Sequence, residues 1–114
     1  MTRTAAALAA ALWTTLVLGV VLESGNAQAQ TTGNQLHRVC QSDGFTDKGF
    51  CKGYIVGVID MLTDTYRTYC TPEGVTYEQS VDIVTAFVRT NPADRHLPAW
   101  ILINVALARN YPCE

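Results

Sequence analysis

Apolar residues recur every three or four positions along most of this chain. Phe50, Tyr54, Ile55, Val58, Ile59, Leu62, Tyr66 and Tyr69 follow that rhythm across a stretch without proline, which predicts an amphipathic helix over Phe50–Tyr69 with one broad buried face. Cys70-Thr71-Pro72-Glu73-Gly74 ends it. Thr76 and Gln79 then have the spacing of a capping box and open a helix to about Thr90. It should bury Val81, Val84, Phe87 and Val88 and leave Asp82, Thr85 and Arg89 in water. Asn91-Pro92 stops it or starts a new turn, and Pro98 stands where a first helical position belongs. The following run, Ala99–Asn110, is apolar almost all round through Trp100, Ile101, Leu102, Val105 and Leu107, so it is expected to be central or covered by a partner. Upstream, Gln35–Gln41 reads as a short helix burying Leu36 and Val39. Ser42–Gly49 is dense in turn formers and reads as a surface loop. No alternating pattern is long enough for a strand. The expectation is all-α, a small bundle of about four helices.

The amino-terminal stretch follows another logic. Met1 and Arg3 precede an apolar run from Ala5 to Leu22 broken by Thr14 and Thr15, then a polar stretch, Glu23–Asn26, and the small-x-small triplet Ala27-Gln28-Ala29. That order predicts a signal peptide over residues 1–29, cut after Ala29, and a single helical domain over residues 30–114. An uncleaved anchor is the alternative, because the run approaches the roughly 20 residues that span a bilayer. Residues 30–34 are polar and are expected to be a disordered start. Removing the leader takes away Arg3 and Glu23 and leaves the net charge at -2. Neither sign forms a run, so the phosphate-binding patch of a nucleic-acid partner is not present, and anionic membrane surfaces are disfavoured. Export leads to the periplasm, with no stable membrane insertion after cleavage.

Four cysteines, Cys40, Cys51, Cys70 and Cys113, all follow the leader, and an even count in a short exported chain implies disulfides. Cys51 and Cys70 sit at opposite ends of one expected helix, about 28 Å apart at 1.5 Å per residue, too far to bond. Two schemes survive. Antiparallel neighbours joined by short connections favour Cys40 with Cys51 and Cys70 with Cys113.

Catalytic chemistry finds little material. A Cys-His pair needs a free thiolate, which oxidised cysteines cannot supply to His37 or His96. A zinc site needs closely spaced ligand pairs, and none occurs. Asp60 stands mid-helix one turn after Gly57, where it reads first as a structural acceptor for backbone or hydroxyl donors on a neighbouring helix. Asp64, a turn later, reads as part of a solvated polar stripe with Lys52 and Arg67, and His96 as a turn cap. Gly53 and Gly57 each cost about 1 kcal/mol of helix propensity, which a close packing contact would offset. The loops Ser42–Gly49 and Thr71–Thr76, pinned by flanking disulfides, are either a pre-organised binding surface or plain connectors.

The series Phe50-Cys51-x-Gly53-Tyr54-x-x-Gly57-x-x-Asp60, then Cys70-x-Pro72-x-Gly74-Val75-Thr76, Asn91-Pro92 and the terminal Tyr111-Pro112-Cys113, resembles the Tai/Rap-type immunity family. Those proteins are periplasmic antidotes to type VI secretion amidases. The likeness runs from about Leu36 to Cys113 and rests on the combined spacing of cysteines, glycines and prolines. It implies a small helical domain without catalytic activity, which binds a peptidoglycan amidase and blocks its cleft; no metal or cofactor is expected. What transfers residue by residue is the scaffold: the four cysteines, Gly53, Gly57, Asp60, Pro72, Gly74 and Pro112. No partner-binding residue transfers. The competing reading is a small periplasmic helical chaperone that exposes Trp100, Ile101 and Leu102 to clients. A redox enzyme with one labile disulfide is a third. The apolar fourth helix also leaves room for a homodimer.

Overall fold

A capping box formed by Thr32 and Gln35 opens the first helix. Thr32 Oγ1 accepts from the Gln35 amide at 3.3 Å, and Gln35 Oε1 accepts from the Thr32 amide at 2.9 Å. Helix α1 therefore runs Gly33–Gln41 and starts two residues before its expected beginning. The structure, a computed structural model, describes residues 30–66 and 68–114. The expected leader, residues 1–29, and Arg67 lie outside the described residues. The polar start is not loose as expected. The Ala99 amide donates to the Thr31 carbonyl at 2.8 Å, the Gly33 amide to the Leu97 carbonyl at 2.9 Å, and Thr32 pairs with Pro98 in an isolated antiparallel bridge. Gly33 permits this close approach, because a Cβ there would run into the Leu102 side chain and stand 2.9 Å from the Arg95 backbone.

Helix α2 runs Phe45–Thr65, so the expected eight-residue loop contracts to Ser42–Gly44. The residues read as turn formers also suit a helix start: Gly44 takes the cap position, and Asp47 lies in the first turn, where the helix dipole favours an acid. The far end also comes early. The Tyr66 amide closes on the Leu62 carbonyl, after which the chain leaves the helical path to bring Cys70 to its partner. Cys51, Ile55, Ile59 and Leu62 form the buried row. Phe50, one residue off that row, is 48% exposed and stacks on Tyr54 instead. Tyr66, beyond the helix end, is 60% exposed. Both were expected inside. The close contact expected at Gly53 and Gly57 is also missing, since a Cβ at either would meet nothing within 4 Å.

Pro72, Gly74 and a second capping box turn the chain into α3, Tyr77–Thr90. Gly74 has φ 85°, a left-handed conformation natural to glycine. Thr76 Oγ1 then accepts from the Gln79 amide at 3.2 Å while Gln79 Oε1 accepts from the Thr76 amide at 2.7 Å, as the spacing predicts. Val84 and Val88 are buried, Val81 and Phe87 half-buried, and Thr85 is half-buried rather than in water. A short 3₁₀ turn, Pro92–Asp94, follows. Arg95 then reaches back, its Nε donating to the Val88 carbonyl at 2.7 Å and its Nη2 to the Arg89 carbonyl at 2.6 Å. These bonds satisfy carbonyls that the end of α3 would otherwise orphan.

Helix α4, Ala99–Asn110, buries Ala99, Leu102, Ile103, Ala106 and Leu107 against the other three helices. Of the two explanations for its apolar girth, its own chain provides the cover. Leu36, Ile55, Leu62, Val84, Val88, Ile103 and Leu107 are the largest fully buried side chains, so each helix contributes to one core. The all-α architecture of four helices is as expected, with no strand among the described residues. So are both disulfides. Cys40–Cys51 ties the end of α1 to α2 at a Cα separation of 5.1 Å, and Cys70–Cys113 joins the chain after α2 to that after α4 at 4.9 Å. The Cys70 amide donates to the Tyr111 carbonyl at 2.8 Å beside the second bond. Among the described residues, no helix is long and apolar enough to cross a membrane.

Candidate functional site

Burying one row of α2 in the core leaves a second apolar row at the core's edge, with Tyr54 and Val58 half-buried against it and Met61 exposed. Tyr54, Val58 and Met61 are spaced four and three residues apart and so share a face. Trp100 and Asn104, one turn apart on α4, stand across from them, and Gln30, Thr31, Tyr66 and Thr68 close the ends. Together they line an open groove of about 620 Å³. Its edge is apolar and accessible, with Met61 45% and Tyr66 60% exposed. The Thr68 hydroxyl donates to Asn104 Oδ1, which ties the segment after α2 to α4 and fixes the groove's polar corner. The second disulfide anchors the same segment two residues later. An apolar trough with few polar groups, on rigid walls, suits a projecting side chain or loop of another protein.

A second exposed side of α2 carries Phe45, Lys48, Gly49, Lys52, Gly53 and Val56 around a shallow depression of about 580 Å³. Phe45 is 93% exposed. Both lysines there have acid partners: Lys48 lies 3.9 Å from Asp43, and Lys52 2.5 Å from Glu78. The Lys52 ammonium beside it holds the Glu78 carboxyl below its usual range.

The structure scatters the remaining sequence candidates. Asp60 accepts from the Tyr77 hydroxyl at 2.5 Å, a bond from the start of α3 to the middle of α2. This hydrogen bond holds the Tyr77 phenol above its ordinary pKa, and the charge of Asp60 adds to the effect. Asp64 is exposed. His96 Nδ1 lies 2.9 Å from the Ala93 carbonyl, at the 3₁₀ turn. His37 is half-buried, and burial, with Arg95 nearby, keeps its pKa below 6.5. Pro72 accepts from the Val75 amide at 3.4 Å in the turn around Gly74, and Pro112 is exposed beside Cys113. All four cysteines are in disulfides. Among the described residues, no three His, Cys, Asp or Glu side chains gather as metal ligands would. The groove itself was not foreseen, although the spacing of Tyr54, Val58 and Met61 marked a second stripe that the core row concealed.

The chain is thus a small four-helix bundle stapled by two disulfides, with an open apolar groove between α2 and α4. The family model for Rap1a immunity proteins matches residues 32–113, and the chain belongs to that family. It is thus an immunity protein against a type VI effector, and a protein effector is the partner that membership implies. Proteins of this family are typically periplasmic and the family points to a non-catalytic inhibitor; two disulfides are consistent with an oxidising compartment. Comparison with curated proteins finds no match.

Proposed function

We propose that the protein is exported to the periplasm, loses residues 1–29, and there binds a peptidoglycan amidase effector of type VI secretion, blocking its cleft. The amidase reading rests on the cysteine, glycine and proline spacing from Phe50 to Cys113, and family membership supports it at the coarser level of a protein effector. The observation that carries the contact surface is the groove between α2 and α4, where Met61, Tyr66 and Trp100 offer apolar area on a braced frame. Tyrosine and tryptophan are among the side chains that dominate interface energies, methionine is enriched in interfaces, and rigidity lowers the ordering cost of association.

The test pairs the purified protein with candidate amidases and follows peptidoglycan cleavage. The cognate enzyme should be silenced at equimolar inhibitor. Val58→Asp, which places a carboxylate in the groove wall, should weaken the complex by at least about 2 kcal/mol, roughly thirtyfold, while helix content measured by circular dichroism stays unchanged. Undiminished inhibition by that variant would move the contact surface elsewhere, and failure to bind any amidase would remove the amidase reading.

A further inference from the structure

We propose that Gln30 becomes the amino terminus of the exported protein and closes to pyroglutamate, leaving the groove with an uncharged rim. This rests on the export reading above. The triplet Ala27-Gln28-Ala29 puts the scissile bond directly before Gln30, so cleavage there frees an α-amine on a residue whose own side chain is a competent acyl donor.

The structure then decides what that terminus can do. Anchoring begins one residue later: the Thr31 carbonyl accepts from the Ala99 amide at 2.8 Å, and Thr32 is held by its capping box and its bridge to Pro98. Gln30 is exposed, and no hydrogen bond among the described residues uses its side chain. Its backbone and side chain can thus fold into a five-membered ring without breaking a hydrogen bond among the described residues. The unprotonated α-nitrogen attacks the side-chain Cδ, and a new N–C bond forms. The Cδ–Nε2 bond breaks, and that nitrogen leaves as ammonia with the proton the amine gives up. Nothing is oxidised or reduced, and no co-reactant is consumed.

The position gives the ring its consequence. Gln30 lines the same groove as Tyr54, Val58 and Trp100. An open α-amine, with an ordinary pKa of about 7.7 to 8.0, is mostly cationic at neutral pH and has to be desolvated by any partner that covers it. The lactam is neutral and keeps one donor and two acceptors. Cyclisation therefore matches the groove's end to its apolar walls.

Intact mass spectrometry of the non-reduced protein, exported from the full 114-residue chain and held at neutral pH until its mass is constant, tests this. The expected species is residues 30–114 with both disulfides, lighter by one ammonia and unreactive to an α-amine label. Gln30→Ala should retain the full mass of its own sequence and label completely. A stable species that starts at Gln30 with a labelled amine overturns the proposal, and so does a chain that starts anywhere else. The readout needs no effector, so a failed amidase assay and a failed cyclisation remain separate results.

Discussion

Tyr77 and Asp60 show how a single exposed bond can leave a measurable mark. The Tyr77 phenol donates to the Asp60 carboxylate, which raises the phenol pKa above 10.0. Because the folded state holds the proton more tightly than the unfolded chain, this contribution is complete below about 10 and is lost as pH rises through the higher folded value. Carbon NMR of labelled tyrosine should show Tyr77 titrating above the ordinary value, and Asp60→Ala should return it close to 10. His37 works in the opposite sense. Burial and then Arg95 lower its pKa from 6.5, so the unfolded chain takes its proton first. Stability is intact above 6.5 and falls as pH drops below it, until the folded ring is protonated as well. Urea unfolding on either side of that value should show the loss, and His37→Gln should flatten it. Asp60 was readable from the sequence as an acceptor for a neighbouring helix. Its donor was not, because nothing local announces that Tyr77 will stand beside α2.

The glycines separate what a helix costs from what its surroundings demand. Gly53 and Gly57 lie on the open side of α2 with no neighbour for a Cβ, while Gly33 faces the Arg95 backbone. Gly53→Ala and Gly57→Ala should each stabilise the protein by roughly 1 kcal/mol through helix propensity alone. Gly33→Ala should cost about 1 to 3 kcal/mol, since backbone cannot yield as a side chain can. Denaturant midpoints at constant slope measure all three. Helical periodicity located α2, α3 and α4 well because their buried rows repeat over several turns. It erred at the ends of α2 because Thr46, Asp47 and Gly49 serve equally in a loop or a helix, and the choice depends on where Cys51 must stand to reach Cys40.

On the scale of the molecule, four helices bury a core that includes Leu36, Ile55, Leu62, Val84, Ile103 and Leu107, and two covalent links close it. In the chain-entropy view, the loops closed by Cys40–Cys51 and Cys70–Cys113, with sequence separations of 11 and 43, contribute roughly 3 and 4 kcal/mol. A domain of this size retains only about 4 to 13 kcal/mol in total. Replacing Cys70 and Cys113 together by alanine should therefore lower the unfolding free energy by about 4 kcal/mol, more than the same change at Cys40 and Cys51. Chemical denaturation of the two double variants gives that ranking. The Cys70–Cys113 variant should also lose effector affinity, because that link braces the segment carrying Tyr66 and Thr68.

Helical periodicity was enough for the all-α class, helix length excluded one of three cysteine pairings while antiparallel packing favoured the one found, and the cysteine, glycine and proline spacing carried a resemblance to an immunity family. Periodicity, helix length and spacing are all properties of neighbouring stretches of chain. Packing between distant segments set the rest: Phe50 and Tyr66 face outward, α4 is covered by its own chain, and Tyr54, Val58, Met61 and Trp100 share a groove with Gln30. Those outcomes depend on how two helices cross, and the side chains that meet there are far apart in the chain.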